Sequence, residues 1–221
     1  MSSRKEVLLQ LLESLKKGEK CLPSSDPLAP LLRGFPSTYI GLGGDLCFSS
    51  LVPVALEALR AGSLPSTVAS FLDWRDFEVF VTELLELSGF EVKRSIRMRS
   101  RRFEIDVFAC DPVRGKGVAI DCKHWTPGYS KRSKLKGIAE EHRAKLRLFL
   151  GECETLYERF PTIRRCRFFV PAVVTLTESL RGFVRGSFVV PIASFRDFIS
   201  RLDYYIETFG FDECAERNPC S

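Results

Sequence analysis

The chain has 221 residues, 45% hydrophobic and 28% charged, which is enough for one full core and a small appendage. Its 33 Lys plus Arg against 28 Asp plus Glu leave a net charge of +5, too little to argue for a nucleic-acid partner, so the distribution of charge must decide. No apolar run approaches the roughly 20 residues that a bilayer span needs, and the opening MSSRKEVLLQLLESLKKGEK is charged and amphipathic rather than a signal peptide, so a cytoplasmic protein with no membrane partner is expected.

The first predicted element is a helix over Ser3 to Lys17. A Ser3-x-x-Glu6 capping box opens it, Val7, Leu8, Leu11, Leu12 and Leu15 share one face, and Gly18 stops it. Residues 21–50 are dense in Pro, Gly and Ser, and a short helix from Pro53 to Ala61 follows, closed by Gly62. Neither helix carries a basic recognition face, so residues 1–66 read as a helical subdomain of unassigned role rather than a DNA-reading helix-turn-helix.

From Ser70 the pattern changes. A helix capped by Ser70 or Asp73 repeats apolar residues at Trp74, Phe77, Phe80, Val81, Leu84 and Leu87 and ends at Gly89-Phe90. Strands are predicted over EVKRSIRMRS (91–100) and RRFEIDVFAC (101–110), a hairpin turn over DPVRGKG, and a third strand over GVAIDCKHW (117–125). A loop, a helix over Leu135 to Phe149, buried strands in CRFFVPAVVTL and GSFVVPI, and a closing helix in SFRDFISRLDYYIETFG complete residues 67–221. This order of elements predicts an α/β (α+β) domain with a sheet flanked by helices.

The third strand places an acid and a base two residues apart. Side chains alternate faces along a strand, so Gly117, Ala119, Asp121, Lys123 and Trp125 share one face, while Val118, Ile120, Cys122 and His124 share the other. Gly117 and Ala119 predict open volume beside the charged pair. If the hairpin pairs the strands, Asp106 approaches Asp121, and two close carboxylates favour a divalent metal, Mg²⁺ or Mn²⁺, over mutual repulsion. An ammonium beside carboxylates stays protonated, which suits Lys123 to stabilising phosphorane charge rather than to acting as a base.

These residues resemble a known family. Glu104-Ile105-Asp106, a short turn and AIDCK ending at Lys123 look like the PD-(D/E)xK nuclease core, and DFEVFVTELLELSGFEV is similar to the first helix of Mrr-type restriction endonucleases and archaeal Holliday-junction resolvases. The resemblance implies a restriction-endonuclease-like mixed sheet flanked by helices and Mg²⁺-dependent hydrolysis of DNA phosphodiesters. It also implies Asp106 and Asp121 as metal ligands, Lys123 as transition-state stabiliser and Glu78 as an accessory acid at the metal. The substrate expected is double-stranded or branched DNA, and cutting two strands makes a homodimer a further expectation. Three other functions compete: a structure-selective resolvase or repair nuclease of the same fold, an RNA-processing nuclease, and a non-catalytic nucleic-acid-binding protein.

Basic residues flank the acids. Arg97, Arg99 and Arg101 alternate onto one strand face, and Lys131, Arg132, Lys134 and Lys136 follow the third strand in a predicted loop, so both runs are expected to bind nucleic-acid phosphates. Glu104 is expected to pair with Arg101 or Arg102, Trp125 to be core or rim, and neither His124 nor His142 to be catalytic. The eight cysteines form no C-x-x-C pair and read mostly as buried unpaired thiols. Gln10 and Asn218 are the chain's two amides, a depletion typical of hyperthermophiles, which do use intracellular disulfides.

Overall fold

The computed structural model describes residues 3–17, 20–98, 103–125 and 129–221, with the side chains of all of these save Leu31, Tyr129, Ser130 and Lys131. Two compact units emerge, Met1–Phe80 and Val81–Ser221, and the division falls inside a helix, further along than the boundary read at residue 66. Among the described residues no helix is long and apolar enough to cross a membrane.

The first unit holds α1 (Arg4–Lys17), β1 (Cys21–Leu22), α2 (Ala29–Leu32), β2 (Thr38–Ile40), β3 (Leu46–Phe48), α3 (Val52–Arg60), α4 (Pro65–Ala69) and the start of α5 (Trp74–Glu86). The capping box forms as the sequence predicts: the Glu6 backbone N–H donates to Ser3 Oγ at 3.3 Å, and Glu6 Oε2 accepts from the Ser3 N–H at 2.8 Å. Leu11, Leu12 and Leu15 are buried. An antiparallel sheet of order β1-β3-β2, too short to leave a periodic signal, joins the expected helices. Asp73 caps α5 by accepting the Asp76 N–H at 2.8 Å. Asp76 itself, 4% exposed, accepts from Lys20 Nζ and Ser50 Oγ, both at 2.7 Å, and from the Leu51 N–H at 3.2 Å. A carboxylate buried this way holds its place because every lone pair facing the protein finds a donor.

The second unit begins within α5, whose end is a Schellman turn: the Phe90 N–H donates to Leu85 O, the Gly89 N–H to Glu86 O, and Gly89 takes φ +87. Then come β4 (Glu91–Arg97), β5 (Glu104–Asp111), β6 (Lys116–Lys123), α6 (Tyr129–Leu150), α7 (Cys153–Arg159), β7 (Phe168–Thr175), β8 (Gly182–Val184), β9 (Ser187–Pro191), α8 (Phe195–Ser200), α9 (Leu202–Phe209), α10 (Phe211–Cys214) and β10 (Glu216–Arg217). The sheet runs β4-β5-β6-β7-β9-β8, with β10 also on β7; β4-β5-β6 are antiparallel and β6-β7-β9 parallel. This is the mixed sheet flanked by helices that the sequence predicts.

Two expectations change. The basic run after β6 is not a loop: α6 starts at Tyr129, because Lys and Arg are good helix formers and an exposed basic turn can precede the stripe that packs on the sheet from Leu135 onward. The closing helix breaks into α8 and α9 at Arg201, which leaves helical geometry at φ −109, ψ 23. On its inward stripe α6 sets Leu135 and Ala139 against Val173 and Val189, and Leu146, Phe149 and Leu150 against Phe108, Ala119 and Phe169.

The thiol expectation is also corrected. Cys21–Cys47, Cys110–Cys166 and Cys153–Cys220 are disulfides, and Cys122 and Cys214 are thiols outside any disulfide. Partners 26, 56 and 67 residues apart carry no local sequence signal, and only the folded chain brings them together. Closing such loops restricts the unfolded chain by about 3 to 4 kcal/mol each in the entropic account. Titration of the denatured, unreduced protein is therefore expected to find two thiols, and full reduction to lower Tm; eight titrating thiols would overturn the pairing.

Candidate active site

The β5-β6 register runs from Asp111 opposite Lys116 to Val107 opposite Ile120. The next rung in that register is Asp106 with Asp121, so the two carboxylates share one face at the mouth of the sheet. Here the backbone ladder gives way to a side chain. Asp106 Oδ2 accepts the Cys122 N–H at 2.7 Å. β6 continues beside β7 through Lys123 opposite Thr175. Lys123 Nζ lies 2.8 Å from Asp121 Oδ1 and 2.7 Å from Oδ2. Oδ2 is sealed from solvent, and the ammonium touches it without the geometry of a hydrogen bond.

Burial and charge make the acids unequal. Asp121 is 8% exposed, and Asp106 is half-buried. Burial, then the Asp121 carboxylate, push the Asp106 pKa up to about 6, against the Cys122 N–H and the Lys123 ammonium. Burial alone would lower the Lys123 pKa, but the charge of Asp121, its hydrogen bond and the charge of Asp106 outweigh it and hold the ammonium above the usual lysine value.

The expected open floor is filled. A Cβ on Gly117 would stand 2.1 Å from the Phe169 ring, and Ala119 is enclosed with Phe108 and Phe169, whose ring centroids are 4.4 Å apart. Glycine and alanine at these positions make room for aromatic side chains rather than for a ligand. Access is from the strand ends, where Asp106, Cys122 and Lys123 are half-buried.

The structure thus brings together Asp106, Asp121 and Lys123. Glu78 is half-buried on α5, in the first unit. Glu104 pairs across strands with Arg97 Nε at 2.8 Å, and the Arg101 and Arg102 expected as its partners lie outside the described residues. That pairing reduces the free charge expected of Arg97. Arg99, Arg101 and the Lys131 side chain lie outside the described residues. Arg132, Lys134 and Lys136 are exposed on the first turns of α6. Further along that helix, Arg143 and Arg147 both bind Glu216 and so tether β10. Trp125 packs beside Leu135, Ala139 and Val173, a rim position as expected.

Sequence reasoning passed over His142. It is 2% exposed, with Nε2 2.8 Å from the Ala119 carbonyl. The spacing of Leu135, Ala139, His142 and Leu146 (four, three, four) held the signal, because it places the ring on the buried stripe.

No group of three or more His, Cys, Asp or Glu able to hold a metal occurs among the described residues. A pair of carboxylates, one oxygen sealed and without a hydrogen bond, still fits a hard divalent cation. Mg²⁺ characteristically takes one or two carboxylates and fills its other positions with water and phosphate oxygens.

Comparison with known proteins gives a family for part of the chain. Residues 69–150 match the family model Mrr_cat, restriction endonuclease. This segment is a restriction-endonuclease-like domain of the Mrr type. The Mrr-type segment contains Asp106, Asp121, Lys123, Glu78 and all of α6, and it supports a nuclease of the restriction-endonuclease kind. An uncharacterized protein of Archaeoglobus fulgidus is 29% identical over 140 residues, covering 62% of this chain and 98% of that protein. The crystal structure of protein VC1899 from Vibrio cholerae aligns with 92% of this chain at 16% identity and TM-score 0.33, and the chain spans 50% of its length.

Proposed function

We propose that the chain is a metal-dependent DNA endonuclease of Mrr-like restriction type, working in the cytoplasm. The observation that carries this reading is the Asp106–Asp121–Lys123 cluster at the mouth of β5 and β6: one ammonium beside two carboxylates, one with a sealed oxygen that makes no hydrogen bond and the other with a raised pKa. Two carboxylates share one ammonium here, and the negative charge that the ammonium does not neutralise is what a divalent cation would offset.

Asp106 and Asp121 are the proposed holders of Mg²⁺ or Mn²⁺. When bound, such an ion supplies a Lewis acid for a phosphate oxygen and a water of lowered pKa. Lys123, held protonated, donates to the phosphate as charge grows on it, and its contact with Asp121 fixes where the ammonium points. Severing both strands of a duplex takes two such sites, so a homodimer is part of the proposal.

The deciding experiment incubates the protein with supercoiled plasmid, a branched duplex and RNA, each with Mg²⁺, Mn²⁺ or EDTA. Metal-dependent cutting of plasmid is expected. Cutting confined to the branched duplex or to RNA would reassign the substrate, and no cutting with any of the three would sink the nuclease reading.

Binding rests on α6. Replacing Arg132, Lys134 and Lys136 by Ala should weaken DNA binding across all sequences and lower the slope of log affinity against log salt by about 0.9 for each phosphate left unneutralised. An unchanged slope in a filter-binding titration would move the footprint off this helix.

A further inference from the structure

His142 is the buried ionisable group closest in function to the cluster without belonging to it. A carbonyl only accepts, so the ring donates Nε2–H to Ala119 O, over 2.8 Å. Burial pushes the imidazole pKa down, with the Asp121 carboxylate opposing, and the ring is therefore neutral. Ala119 lies two residues before Asp121 on β6.

The location matters because the β5-β6 ladder stops at Val107 opposite Ile120. Beyond that rung β6 is held by β7 and by the Asp106 side chain, with no further β5 rung among the described residues. The His142–Ala119 bond is the point where α6 grips the strand just before it loses its β5 neighbour. A site of this kind tolerates about 0.5 Å of displacement before it loses rate.

We propose that His142 is a positioning residue for the nuclease site, fixing the stretch of β6 from which Asp121 and Lys123 project. The inference rests on the nuclease roles proposed for those two residues. A second bond between sheet and α6 provides a matched control: Ser187 Oγ on β9 donates to Ala139 O at 2.6 Å, and both residues are fully buried. It ties α6 to a strand that carries none of the cluster.

The test compares His142→Phe, which keeps a ring without the donor, His142→Gln, which returns an amide donor at similar reach, and Ser187→Ala. Three quantities are measured: Mn²⁺ affinity by electron paramagnetic resonance, single-turnover plasmid cleavage at saturating Mg²⁺, and DNA affinity without metal. His142→Phe should lose on the order of tenfold in rate and in Mn²⁺ affinity, the usual scale for a residue that orients a metal ligand, while DNA affinity holds. His142→Gln should recover most of both. Ser187→Ala should lower Tm and leave rate and Mn²⁺ affinity at the parent's values. If His142→Phe does not fold, His142→Asn, whose donor falls short of the carbonyl, takes its place. A His142→Phe protein that cuts and binds Mn²⁺ like the parent, whatever its Tm, overturns the positioning role alone. A parent that neither cuts nor binds Mn²⁺ overturns the nuclease reading and this inference with it.

Discussion

Lys123→Ala is expected to slow DNA cleavage by on the order of 10² or more while binding divalent metal at least as tightly as the parent. The ammonium sits 2.7 Å from Asp121 Oδ2 and offsets part of the negative charge there, so its removal leaves the ionised acids more strongly anionic as a pair and the metal better held. What is lost is the positive charge met by the phosphate as it becomes more negative in the transition state, and that loss appears in rate rather than in binding. Asp121→Asn should behave differently, losing both metal affinity and rate. Asparagine is the better substitution here than alanine. The pair is largely buried, and truncating one partner leaves an uncompensated charge, a change that costs on the order of 3 to 5 kcal/mol at a fully buried site and a lesser amount at this partly open one. The open volume that Gly117 and Ala119 predict beside the pair would have let alanine be tolerated, and the filled floor removes that ground. Single-turnover rates over a Mg²⁺ titration decide the matter. If both variants cut like the parent with the same Mg²⁺ dependence, the Asp121–Lys123 pair is a strand-end ion pair and the active site lies elsewhere.

Asp106→Asn should abolish cleavage and yet stabilise the metal-free protein at pH 8. The Asp106 pKa rises from 3.8 to about 6 in the folded chain. A carboxyl with a raised folded-state pKa favours folding most when protonated in both states, below pH about 3.8, and that contribution is lost as pH climbs through about 6. Above that window the ionised acid is a standing cost on the order of 2 to 3 kcal/mol, at 1.36 kcal/mol per pH unit. Asparagine removes the charge and still accepts the Cys122 N–H through its amide oxygen. For a chain of this size the gain should raise Tm by roughly 5 to 10 °C. Mg²⁺ should stabilise the parent at pH 8 and leave the variant unchanged. The same acid predicts that cleavage at subsaturating Mg²⁺ rises with pH up to about 6 and that high Mg²⁺ moves this limb to lower pH, because metal and proton compete for one carboxylate. A variant less stable than the parent at pH 8, or a rate indifferent to Mg²⁺ at pH 5, would contradict the assignment of Asp106.

Much of the candidate site was legible because the signals were local. The hairpin DPVRGKG fixes the register of β5 against β6 by its own turn chemistry, and that register alone sets Asp106 facing Asp121. The capping box of α1 and the caps of α5 depend on residues at most five apart in sequence and formed as read, while the Gly18 stop of α1 lies outside the described residues. Lys123 follows Asp121 on the same face because strand side chains alternate, whatever the rest of the chain does.

Sequence by itself therefore determined the α/β order of elements, the helix caps, the strand pair and the acid-lysine motif, since each follows from contiguous residues and backbone geometry. Tertiary structure decided what depends on residues far apart meeting. Phe169, 52 positions after Gly117, fills the floor that small residues seemed to leave open, because a buried void forfeits contacts that an aromatic ring regains. Arg97 chose Glu104 because the hairpin between β4 and β5 put them on one rung. His142 found the Ala119 carbonyl because α6 crosses β6 at that point, and six cysteines became three disulfides because folding closed loops of 26, 56 and 67 residues. In each case the deciding term is the free energy of a contact between distant segments, which no local pattern encodes.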